Sequence, residues 1–222
     1  MSRFGSSLVR GLRPVLLLLL VGTGFARAEW TGVYFELGSL DSDWEFSDEV
    51  REAKSDLLAI RIEERLESGL AVGGGLAYHS LRLDGQGNSE SIKFEAENLI
   101  IYLRQDFSLG ETVTLEGTFQ YDLYSGRENT SDDRASLDWS QVTLELAAAF
   151  RFEKWRVTPF VSYATIDGDT SGVEGGGSFE LEDPYNQGIR FDIFTDPTSY
   201  VGIELQTGSQ TAGYLSFVRR YE

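Results

Sequence analysis

The sequence predicts an all-β fold: a transmembrane antiparallel up-and-down β-barrel of ten strands, with eight as the alternative. Three observations predict it. Segments of about ten residues with apolar side chains at every second position recur along the chain, bounded by turn residues. The connections between them alternate between short and long. An export signal precedes the first segment. In a membrane barrel alternate residues meet lipid and lumen, so period-two patterning repeated many times is its signature.

The signal occupies residues 1–28. Arg3, Arg10 and Arg13 form a basic start without acids, Val15 to Val21 form an apolar run, and Ala26-Arg27-Ala28 offers the small-x-small pattern of a cleavage site. The apolar run is too short for a membrane helix, which needs about 20 residues. The expected mature domain is therefore residues 29–222. All 36 acids and 15 of the 19 basic residues fall within it, which takes the net charge from −17 to −21. Such a balance argues against a nucleic-acid partner, because phosphate binding needs clustered Lys and Arg. The chain has no cysteine, so an exported domain of this size must be held by backbone pairing and packing.

Alternation is cleanest over 112–124, where Val113, Leu115, Phe119, Tyr121 and Leu123 share a face with Gly117, and Thr114, Glu116, Thr118, Gln120 and Asp122 share the other. In 141–152, Val142, Leu144, Leu146, Ala148 and Phe150 oppose Thr143, Glu145 and Ala147. In 69–80, Leu70, Val72, Leu76 and Tyr78 oppose the small residues Ala71, Gly73, Gly75 and Ala77. The same reading places further strands near 30–38, 56–66, 94–105, 155–166, 187–195, 199–207 and 211–221. Around 94–105 both faces are partly apolar, which leaves the register open by one residue. Residues 48–55 form the best helical candidate, but they are short and highly charged and read as loop.

Connections at 67–69, 106–110, 153–154 and 196–198 are short, whereas 39–55, 81–93, 125–138 and 167–186 are long, polar and rich in Gly, Ser, Asp and Glu, the first, third and fourth of them acidic. Short turns facing the periplasm and long loops facing outward put both termini on the periplasmic side, which requires an even strand number. Ten strands result if the runs at 187–195 and 199–207 both cross the membrane, and eight if they form a hairpin above the rim. Trp30, Phe107, Phe152, Trp155, Tyr200 and Tyr221 fall at expected periplasmic strand ends, and Tyr78, Tyr124, Trp139 and Tyr163 toward the outer ends. That distribution reads as two girdles of amphipathic rings at the headgroup layers.

With these segments, the sequence resembles the small outer-membrane β-barrel proteins of Gram-negative bacteria, the group that includes the barrel domain of outer membrane protein A. The resemblance spans the mature chain. It includes the end, where Leu215, Phe217 and Tyr221 fit the alternating aromatic terminus read by the barrel assembly machinery, although Arg219 interrupts it and Glu222 follows the last aromatic. It implies an outer-membrane location, contact with lipid and lipopolysaccharide, and insertion by that machinery.

Eleven charged strand residues are expected to face inward: Glu36, Arg61, Glu63, Arg104, Glu116, Glu145, Arg156, Arg190, Asp192, Glu204 and Arg220. Facing lipid each would be costly, whereas inside a narrow lumen they can pair. The expected role is a non-enzymatic structural or surface-interaction barrel with a side-chain-plugged lumen; a narrow porin or solute-uptake channel is the alternative. The acidic loops suit weak divalent cation binding, but Asp167-Gly168-Asp169-Thr170-Ser171-Gly172 only begins like a calcium loop. No cofactor is expected. His79, the single histidine, precedes Ser80, and neighbours in a strand point to opposite faces, so they cannot form a hydrolytic dyad. One His and no Cys cannot build the usual zinc site.

Overall fold

The computed structural model describes residues 28–46, 49–84, 91–129, 135–172 and 177–221. The expected signal peptide lies outside them, except for Ala28, as do the loop acids Asp48, Asp132, Asp133 and Glu174.

Seven long strands run up and down in chain order: β1 (Ala28–Phe46), β2 (Glu49–Leu66), β3 (Leu70–Leu83), β4 (Ile92–Ser108), β5 (Val113–Glu128), β6 (Ser136–Arg151) and β7 (Trp155–Ser171). A four-residue strand β8 (Ser178–Leu181) precedes β9 (Tyr185–Asp196), β10 (Ser199–Gly208) and β11 (Gln210–Tyr221). All pairings are antiparallel between neighbours, and β11 pairs with β1 from Thr31↔Tyr221 to Ser42↔Gln210, which closes the sheet into a barrel. Closure removes the free edges that an open sheet would expose.

Strand number changes along the axis. Through the lower part the ring is β1 to β7 followed by β9, β10 and β11, ten strands in all. Above the β10–β11 turn, β8 pairs with β7 on one side (Gly168↔Phe179) and β1 on the other (Trp44↔Leu181, Phe46↔Phe179), leaving eight. The last hairpin is therefore a wedge that enters the barrel from below. Its turn is closed by Asn186, whose Oδ1 accepts from Gln210 N–H (2.8 Å) and Ser209 Oγ (3.0 Å), with Gly208 at φ +133°.

Strands of 16 to 19 residues exceed the 9–11 that a tilted membrane crossing needs. The excess comes from segments whose composition reads as loop. Residues 39–55 are mostly the upper ends of β1 and β2, paired as far as Phe46↔Glu49, and the charged 48–55 segment belongs largely to β2. The alternation continues there with inverted polarity. On β1, Val33, Phe35 and Leu37 face out low on the barrel, and Asp41, Asp43 and Glu45 face out above them, while inward positions pass from Glu36 to Trp44 and Phe46. On β4, Leu99 faces out below Glu97, Glu95 and Lys93, while Arg104 faces in below Ala96, Phe94 and Ile92. The lower barrel is apolar outside and polar inside, as lipid demands; the upper barrel is polar outside and apolar inside, as water demands.

The burial pattern settles the open register of β4, with Leu99 exposed and Asn98, Ile100 and Tyr102 buried. It also corrects the girdles. Phe107, Phe152, Trp155 and Tyr221 at the lower end and Tyr78 and Tyr163 at the upper are outward and exposed, but Tyr200 and Trp139 are buried within the barrel. Trp30 lies against Arg220, and Tyr124 stacks on Trp139. Arg219, which interrupts the terminal aromatic pattern, meets Asp196 (3.2 Å) and Ser199 Oγ (2.7 Å) beside the β9–β10 turn. In that turn Thr198 donates from Oγ1 (2.7 Å) and N–H (2.8 Å) to Asp196, which lowers the pKa of its carboxyl.

Gly75, on the inward face of β3, shows how tightly the wall is packed. A Cβ there would lie 2.6 Å from Arg61 Cγ and 2.9 Å from Arg61 Cα, and closer still to the Ile60 carbonyl oxygen. Backbone atoms of a paired strand cannot yield as a side-chain tip can. Gly75→Ala is expected to destabilise the barrel by about 1–3 kcal/mol, read as a lower midpoint of urea unfolding. An unchanged midpoint would show that β2 and β3 can separate locally.

Candidate functional site

Inward-facing residues form three layers, set by the parity of each strand. At the short-turn end and through the lower barrel the layer is charged. Glu63, almost completely buried on β2, accepts from Tyr34 Oη (2.9 Å) and Arg104 (3.0 Å); Arg104 also reaches Asp106 (3.1 Å). Asp106 pairs in turn with Arg65, which meets Glu29 at 3.2 Å. Glu36 on β1 pairs with Arg61 on the adjacent β2.

Across the lumen Arg190 is a hub. Its Nε donates to Glu204 (2.6 Å), one terminal nitrogen lies 2.8 Å from both oxygens of Glu145, and the other lies 3.9 Å from Glu116. Arg156 donates to Asp192 (2.7 Å) and stands 3.7 Å from Glu116. Ten of the eleven residues singled out in the sequence thus meet as ion pairs. Arg220 does not: it lies over the rings of Trp30 (4.5 Å) and Tyr200 (5.4 Å). Arg65 and Asp106 lie in the same layer but were missed, because Asp106 reads as turn and β4 in fact continues to Ser108. Tyr34 shares parity with Glu36, so its inward direction was available.

The middle layer is a polar void of about 150 Å³. Glu36, Arg61, Asn98, Asp122, Glu145 and Glu204 are among its walls. Asp122 accepts from Gln120 (2.8 Å) and more weakly from Asn98 (3.4 Å). His79 borders this void and the layer above it, where Ser55 Oγ lies 3.0 Å from its Nδ1. Both residues are buried, and His79 Nε2 has no hydrogen-bond partner among the described residues. Ser80, the histidine's neighbour, is exposed on the opposite face, as strand geometry requires.

The upper layer is mostly apolar, with Arg51 buried over the Phe46 ring at 4.9 Å and paired with Glu49. Trp44 stacks on Phe179 (4.6 Å between centroids), Tyr124 stacks on Trp139 (4.1 Å), and the two indoles meet at 5.5 Å. Phe46, Leu83, Phe94, Leu137 and Ile166 complete this cluster. Eight strands leave an interior of a size that side chains can fill. Among the described residues, Trp44, Tyr124 and Trp139 border a void of about 10 Å³.

With lipid-compatible walls below, a water-compatible extension above and a closed antiparallel ring, the architecture is decided. The fold is that of an outer-membrane β-barrel. Among solved structures, the barrel is similar to the translocator domain of the autotransporter NalP from Neisseria meningitidis, with 13% identity, a TM-score of 0.50 and 98% of each chain covered. It is also similar to the transport unit of the autotransporter AIDA-I from Escherichia coli, with 9% identity, a TM-score of 0.52, and 88% of this chain and 91% of that one covered. At such identities the likeness is one of fold. No family model matches the sequence, and no curated protein matches it. Among the described residues of the barrel, no group of three or more His, Cys, Asp or Glu side chains is placed to hold a metal ion.

Proposed function

We propose that this protein is an integral outer-membrane barrel of a Gram-negative bacterium, non-enzymatic and non-conducting, with a structural or surface-interaction role. The apolar plug is the observation that carries the reading. A conducting path needs water at every level, and aromatic rings stacked across an eight-stranded lumen exclude it. The ion-pair layer supports the same reading: the 150 Å³ void and a second void at the short-turn mouth share no lining residue, and Tyr34, Glu63, Arg104 and Arg190 are absent from the walls of both. A non-enzymatic reading is supported by the burial of Ser55 and His79 against the aromatic layer.

The surface role is supported by the outward side chains of the upper barrel. Asp41, Asp43, Glu45, Glu52, Asp138 and Asp167 project there. They would keep the extension soluble above an anionic lipopolysaccharide layer, with divalent cations between the two sets of charges, while the apolar belt meets lipid and was inserted by the assembly machinery.

The test is single-channel conductance of the mature protein in a planar bilayer, with Arg156→Ala alongside. Silence from both, in protein shown to be folded by heat-modifiable gel mobility, is the expected result. Reproducible steps that change in the variant would establish the alternative of a narrow channel.

A further inference from the structure

We propose that the short-turn mouth of the barrel holds a binding site for a small soluble anion bearing a phosphate or carboxylate group, with Arg151 and Arg220 as its principal donors. The mouth contains a cavity of about 220 Å³ into which four guanidinium groups converge, from Arg65, Arg151, Arg156 and Arg220. Three carboxylates also line it, and each is already engaged. Asp106 is held by Arg65 and Arg104, Glu29 by Arg65, and Glu116 lies between Arg156 and Arg190. Arg156 takes its main partner, Asp192, from outside the cavity wall. Two positive charges remain without a carboxylate among the described residues, Arg151 and Arg220.

These two are held in a way that leaves their donors free. Arg220 lies over Trp30 at 4.5 Å and Tyr200 at 5.4 Å, and Arg151 lies over Phe194 at 4.5 Å. Ring stacking occupies the face of a guanidinium and leaves its edge of N–H groups available. Arg220 Nε is buried and has no hydrogen-bond partner among the described residues, an arrangement that is costly unless an acceptor arrives. Fixed planar forks with open edges match the paired oxygens of phosphate and carboxylate, and aromatic shelves reduce the ordering that binding would otherwise require.

The position selects a soluble ligand over a lipid headgroup. The cavity is formed at the starts of β1, β5 and β7 and the ends of β2, β4, β6 and β11, by side chains that point into the lumen. Lipid meets the other face of the same strands. Arg151 is exposed, so the site is reachable from the water at that mouth. The site stands independently of whether the lumen conducts, because the plug lies at the opposite end.

The test is isothermal titration calorimetry of the mature barrel in a non-ionic detergent at low ionic strength, with inorganic phosphate and acetate as separate probes. Saturable binding of at least one is expected, weakened at least tenfold in Arg151→Gln and in Arg220→Gln and unchanged in Arg82→Gln, which alters an exposed arginine at the far end. Tighter phosphate binding assigns a phosphoryl ligand, and tighter acetate binding a carboxylate. Arg151 ends a strand and is exposed, so its variant keeps the test decisive even where Arg220→Gln fails to fold. No saturable heat with either anion, or binding that both variants retain, would overturn the site.

Discussion

Trp139→Ala is expected to cost about 3–5 kcal/mol of barrel stability and to make a silent barrel leak. Trp139 is 6% exposed, stacks on Tyr124 with rings 6° from parallel, and meets Trp44 at a tilt of 59°. Its removal leaves a void beside the one of about 10 Å³ that Trp44, Tyr124 and Trp139 line. Neighbouring strands are tied by backbone hydrogen bonds, so the wall cannot collapse inward to refill it. The cost is therefore expected near the upper end for a large-to-small change. That void would sit directly above the polar cavity beside His79 and Asp122 and would join it to outer water. Urea unfolding of the protein in lipid vesicles measures the first effect, and bilayer conductance the second. A stability loss without conductance would place the seal in the ion-pair layer below. Neither effect would show that the aromatic cluster is incidental.

The second large effect is expected at Arg190. Its guanidinium joins Glu204, Glu145 and Glu116, which come from β10, β6 and β5, so one side chain ties together three other strands of the wall. Arg190→Met removes the charge and leaves three inward carboxylates facing one another, with Arg156 3.7 Å from Glu116. Breaking a buried pair from one side typically costs about 3–5 kcal/mol, because the stranded charge must be hydrated or neutralised. Glu145 and Glu204 border the mid-barrel void, where water can partly hydrate them, so the lower end of that range applies. The triple variant Arg190→Met, Glu145→Gln, Glu204→Gln is expected to recover most of the loss, since buried ion pairs fix geometry more than they add net stability. Unfolding midpoints of the single and triple variants decide this. A triple variant as unstable as the single one would mean that the ion pairs themselves carry the stability.

The lower barrel was legible because lipid imposes one rule on every strand. Val33, Phe35 and Leu37, or Leu144, Leu146 and Phe150, could face only outward, and parity then sent Glu36, Glu145 and their partners inward. The upper barrel was harder to read. Asp41, Asp43, Glu45 and Glu52 resemble loop by composition, and the alternation of Leu40, Trp44 and Phe46 between them carries the opposite polarity. A pattern scan tuned to apolar-outside strands ends where the polarity inverts, although the backbone continues. Two of the misassigned rings follow from the same cause: Trp139 and Tyr124 lie toward the upper end, but on the inward parity.

What the sequence alone determined was the closed antiparallel barrel and the parity that turns strand charges inward, because both follow from local alternation and from the cost of placing charge in lipid. The tertiary structure decided which charge meets which, that ten strands become eight above the last hairpin, and that the acidic upper segments enclose an aromatic core. These are choices between strands far apart in the chain. They depend on the register at β1–β11 closure and on where β8 replaces the wedge, and no local pattern encodes either.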